Sequence, residues 1–70
     1  MSSVFVLEMG ADHQDEYHVY GIFSTSQLAI DAADELYESL ENSEREYLII
    51  VVAERELDEL NSRSITIYEL

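Results

Sequence analysis

The sequence predicts an α+β domain of order β-β-α-β-β, with one amphipathic helix packed on one face of a mostly antiparallel sheet. Three observations carry that expectation. Residues 23–42 (FSTSQLAIDAADELYESLEN) repeat apolar side chains at helical spacing. β-Branched and aromatic residues gather in runs on both sides of that stretch, at 4–9, 16–23, 46–57 and 64–70. The segments between these runs are short and polar, so a single sheet covered on one face is the economical packing.

Taken in order, residues 4–9 (VFVLEM) are apolar on both faces up to Glu8, which suits an interior strand. Residues 10–15 (GADHQD) have turn composition. Residues 16–23 follow as the second arm of an antiparallel hairpin with a longer loop. Strict alternation there places Tyr17, Val19, Gly21 and Phe23 on one face and His18, Tyr20 and Ile22 on the other. Gly21 marks either a bulge or a close approach of the helix.

The helix carries a full start signal. Ser24 is the expected N-cap, Gln27 completes a capping box, and Phe23 with Leu28 would form a hydrophobic staple. At 100° per residue, Leu28, Ala29, Ala32, Ala33, Leu36 and Leu40 form the dry arc. Asp31, Asp34, Glu35, Glu38 and Glu41 lie opposite with Gln27 and Asn42, and Ile30 and Tyr37 sit on the seam. Residues 42–46 read as a polar link. Residues 46–57 hold the most apolar run and read as a central strand, 58–63 as a loop or single helical turn, and 64–70 as an edge strand.

A sheet covered on one side leaves its other face bare. Tyr20, Ile22 and members of the third strand would lie there. The expectation is a homodimer through the sheet face or edge, or a partner docked on that face.

Charge bounds the function. Sixteen acidic residues face three arginines and no lysine, a formal net charge of −13, and residues 1–44 contain ten carboxylates without one Lys or Arg. Such a field repels nucleic acid and anionic membranes and attracts basic surfaces. Direct nucleic-acid binding is disfavoured on this ground, whereas binding to a protein that itself holds nucleic acid fits it. The absence of cysteine removes disulfides and thiolate metal sites. With no basic leader and no apolar run near the ~20 residues of a membrane span, the expectation is an intracellular, cytoplasmic protein. An apolar fraction of 47% and ordered β runs argue against disorder.

The acidic helix face is the first candidate site. Most charge runs are simply solvated, but Asp31–Glu35 and Asp34–Glu38 are like-charge pairs at i,i+4, each costing a few tenths of a kcal/mol. Glu38 and Glu41 also fall toward the helix C-terminus, the unfavourable end for anions. The ridge from Asp31 to Glu41 would span about 15 Å, on the scale of successive phosphates. Tyr37 and Ile30 would add apolar contact at its rim. In the hairpin loop, Asp12, His13, Asp15 and Glu16 extend the acidic surface. Read more sharply they would be an oxygen-rich metal site, though their spacing matches no established loop and no metal or cofactor is expected. Glu54, Glu56, Asp58 and Glu59 around Arg55 make a third cluster; a salt-bridged edge is its plainest reading, although three arginines cannot neutralise sixteen acids. No glycine-rich cradle and no nucleophile–base pattern is present, so a non-enzyme is expected.

The segments VFVLE, GIFST, the A-x-x-A-A spacing of Ala29, Ala32 and Ala33, and EYLIIVVAEREL resemble small uncharacterised bacterial and phage domains built as hairpin, helix and strand. The likeness spans residues 4–58, implies the fold and carries no catalytic residue. In size and acidity the chain also resembles phage-encoded inhibitors of host defence, the anti-CRISPR and anti-restriction proteins. That resemblance implies an inhibitor of DNA-mimic type acting in the host cytoplasm on a basic nucleic-acid-binding protein. Two other readings stand beside it: a dimeric regulatory domain with a metal- or ligand-responsive hairpin loop, and salt adaptation with no specific acidic site.

Overall fold

The structure, a computed structural model, describes residues 3–11, 16–58 and 63–70. Its elements are β1 (Ser3–Ala11), β2 (Tyr17–Phe23), α1 (Ser26–Ser39), a one-turn helix α2 (Asn42–Arg45), β3 (Leu48–Glu56) and β4 (Ile65–Glu69). The strands form one sheet of order β2-β1-β3-β4, antiparallel throughout. The α+β expectation is met, and the two most apolar strands, β1 and β3, take the centre. Extents of 40 × 24 × 15 Å describe a thin slab, one sheet and one helix deep.

Small residues on α1 set the packing. Ala29 and Ala33 are fully buried and bring the helix axis close to Leu7, Ile50 and Val52 of the central strands. Ile50 and Val52 are the large side chains with almost no exposure, each worth about 1.5–3 kcal/mol of burial. Phe5, Met9, Phe23, Leu36, Tyr37, Leu40, Tyr68 and Leu70 close around them.

Several details differ from the sequence expectation, each by a small geometric offset. The N-cap is Thr25 and not Ser24: its Oγ1 accepts from Leu28 N–H at 3.3 Å, and α1 starts at Ser26. The expected capping box and staple are therefore out of register. Gln27 instead donates to Asp31 Oδ1 at 2.8 Å along the helix surface. The buried arc is centred on Ala29, Ala33, Leu36 and Leu40, which brings Tyr37 into the core and leaves Leu28 at 52% exposure.

The helix also ends earlier than expected. Leu40 is already extended, and Glu41–Arg45 is no simple link: Asn42–Arg45 forms α2 with Glu41 as its N-cap residue. Glu44 closes the turn by accepting from Glu41 N–H at 3.0 Å. Glu41 thus leaves the α1 ridge for a helix start, the end that favours an anion.

Both edge strands carry a bulge. On β2 the pairing steps from Leu7↔Gly21 to Glu8↔Val19, so Tyr20 is the extra residue. This shift turns Tyr17 and Val19 to the face of Ile22, against strict alternation. Gly21 adjoins the bulge as expected, but its close neighbour is the Phe23 ring, which a Cβ at Gly21 would approach to 2.8 Å. Across the strands, the Tyr17 ring covers Gly10 in the same manner. On β4 the pairing steps from Val52↔Tyr68 to Ala53↔Thr66, leaving Ile67 as the extra residue.

Candidate interaction surfaces

The acidic face of α1 is narrower than its sequence suggests. Asp31, Glu35 and Glu38 are exposed and lie within about 60° of one another around the helix. With Glu41 removed to α2, the ridge from Asp31 to Glu38 spans about 10 Å. Asp34 is turned toward the sheet edge, where Tyr68 Oη donates to its Oδ1 at 2.5 Å. That hydrogen bond to the carboxylate, with some desolvation and the carboxylate charge, holds the Tyr68 phenol above its ordinary pKa. Asp34 therefore ties the helix to β4, the edge strand.

Arg45 completes the C-terminal end of α1. Its Nε donates to Tyr37 O at 3.1 Å and a terminal nitrogen donates to Glu38 O at 3.2 Å. The guanidinium carbon also stands 4.7 Å from the centre of the Tyr37 ring. Arg45 adds to the bond that Tyr37 O already accepts from Leu40 N–H at 3.2 Å and supplies a donor to Glu38 O, a cation at the end where a cation is favoured. The contact with the ring adds about 0.5–1 kcal/mol at an exposed site. Tyr37 is thus half-buried between the core and Arg45, and Ile30, two turns earlier on the helix, is also half-buried. Sequence reasoning missed Arg45 because its partners are main-chain atoms seven and eight residues away, across a turn whose geometry no spacing rule encodes.

The other clusters fare differently. Asp12, His13 and Asp15 lie outside the described residues, as does Glu59, while Glu16 is exposed next to β2. Among the described residues no group of three or more His, Cys, Asp or Glu side chains could hold a metal ion. Glu54 and Glu56 point to the helix side of β3 and Arg55 to the opposite side, as the pairing with Phe5, Ser3 and Val4 shows. Asp58, with φ of 62°, takes the left-handed conformation that Asp tolerates better than most residues. His18 is exposed at the β2 edge.

A second surface emerges on the sheet face away from α1. Directly paired residues share a face, so the registers place Val19, Glu8, Val51 and Glu69 in one row across all four strands. Ile22, Val6, Ala53 and Thr66 form the next row, and Tyr17, Gly10 and Ile49 another. Ile22 is 65% and Val19 57% exposed. Glu8, Tyr17, Val51, Ala53, Ser64, Thr66 and Glu69 line a shallow concavity of about 310 Å³ here. The sequence pointed to a bare face, but only the two bulges decide which residues occupy it.

Comparison with known protein families, with curated proteins and with solved structures gave no match. No helix among the described residues is long and apolar enough to cross a membrane.

Proposed function

We propose that this chain is a non-enzymatic acidic interaction module that inhibits a partner by occupying its basic nucleic-acid-binding surface, in the manner of the DNA-mimicking anti-defence proteins it resembles. The observation that supports the reading is the exposed ridge of Asp31, Glu35 and Glu38. It stands on a helix whose opposite side is anchored by Ala29 and Ala33, in a chain of net charge −13. The buried alanines seat the helix on the sheet, so the Cα positions of the three carboxylates are set by the core. A largely ionic contact of this kind weakens steeply with salt.

The test is affinity capture from a host lysate with wild-type protein and with an Asp31→Asn, Glu35→Gln, Glu38→Gln variant. Asp34 is kept, because changing it would also weaken its charge-assisted bond to Tyr68. The expected result is a captured protein that binds nucleic acid, is released by duplex DNA or by added salt, and is lost with the variant. Capture that the folded variant retains in full would remove the ridge from the contact. A captured protein still loaded with nucleic acid at saturating inhibitor would remove mimicry.

A further inference from the structure

We infer that the open face of the sheet is a seat for a basic amphipathic helix of a partner protein. This surface lies on the opposite side of the sheet from the α1 ridge, so the inference goes beyond the ridge reading and depends on different residues.

The floor is apolar along β3. Ile49, Val51 and Ala53 alternate to this side with Val6 beside Ala53; Val6 and Ala53 are already buried, so the accessible apolar surface is half-buried Ile49 and Val51 with Tyr17, Val19 and Ile22 toward β2. Glu8 and Glu69 stand on the two strands flanking β3, both in the row of Val51. Two strand spacings separate them, about 9.6 Å. An α-helix with its side chains is about 10–12 Å across. A helix laid along β3 would therefore rest an apolar stripe on Ile49 and Val51, flanked by Val19 and Ile22, and would end short of Arg55, which stands on the same face two residues beyond Ala53. Lys or Arg residues on its two flanks would reach Glu8 on one side and Glu69 on the other. This is the helix-in-groove mode of recognition, with carboxylates as the charged rim.

Charge separates this occupant from the alternatives. A second copy would set two chains of net charge −13 face to face, with one Arg55 from each against the Glu8 and Glu69 of both. Growth of the sheet by edge pairing is blunted at β2 and β4 alike, since each bears a bulge. Anionic lipid is repelled by the same carboxylates.

The experiment uses an 18-residue helical peptide of leucine and lysine at amphipathic spacing, titrated by calorimetry and followed by backbone amide shifts. Saturable binding is expected, with the shifts clustered on Val6, Val51 and Ala53. A Glu8→Gln, Glu69→Gln double variant should bind at least tenfold more weakly, and Val19→Asp with Ile22→Asp, both exposed enough to leave the fold intact, should also weaken binding. The triple ridge variant should stay within twofold of wild type, which keeps this result distinct from the fate of the ridge proposal. Shifts confined to α1 with unchanged affinity in Glu8→Gln, Glu69→Gln would overturn the inference. So would a peptide-free dimer at micromolar concentration that dissociates in Val19→Asp, Ile22→Asp, since a second copy would then own the face.

Discussion

Tyr68 and Asp34 join positions 34 residues apart, and their bond is the clearest case in which a single atom pair changes the meaning of a predicted site residue. The phenol must stay protonated to donate, and its folded pKa is raised above the ordinary value of 10.0. A raised folded value means that the bond's contribution is fully present below the unfolded pKa and is lost as pH climbs through the folded one. Stability should therefore hold to about pH 10 and fall above it. Spectrophotometric titration of tyrosinate should assign a late-ionising component to Tyr68, and Asp34→Asn should move that component to lower pH. A titration curve identical in the two proteins would mean that the bond does not persist in solution. Arg45 teaches the same lesson about charge. One cation, placed at two main-chain carbonyls and over a ring, compensates a helix end that sequence reading left uncompensated.

Periodicity made the elements legible and left their junctions illegible. Apolar spacing at 3.6 and runs of β-branched residues announced α1 and all four strands, because burial of a whole face depends on many residues at once. A cap or a bulge depends on one residue. Ser24, Thr25 and Ser26 are each acceptable caps by type, and only the path of the chain leaving Phe23 selects Thr25. The selection is measurable: Thr25→Ala should cost about 1 kcal/mol, and Ser24→Ala close to nothing, in denaturant unfolding. Equal losses, or the reverse order, would restore Ser24 as the cap. The bulges had a larger effect on the functional reading. One extra residue at Tyr20 carried Tyr17 and Val19 onto the open face, where they border Glu8 and Gly10, and alternation alone cannot show such a shift.

At the scale of the whole molecule, stability and surface charge pull in opposite directions. The core is thin, since Ile50 and Val52 are its largest fully buried side chains, and no disulfide supplements it. Against that modest burial the chain carries a net −13, whose self-repulsion opposes compactness. Relocating Glu41 and tying down Asp34 removes part of the electrostatic penalty, but Asp31 and Glu35 still stand at i,i+4 with Glu38 a turn away. Converting Asp31 to Asn and Glu35 and Glu38 to Gln should relieve roughly 0.5–1 kcal/mol. The asparagine at 31 can still accept from Gln27. In a domain of this size that gain corresponds to about 2–8 °C in melting temperature. The gain should be largest at low salt and shrink by more than half near 0.5 M NaCl, where the screening length falls to about 4 Å. Salt adaptation predicts the opposite sign: the ridge would support folding at high salt, and the variant would melt lower there than wild type. A variant that is more stable yet loses its partner would identify the ridge as a surface kept for binding at a cost to the fold.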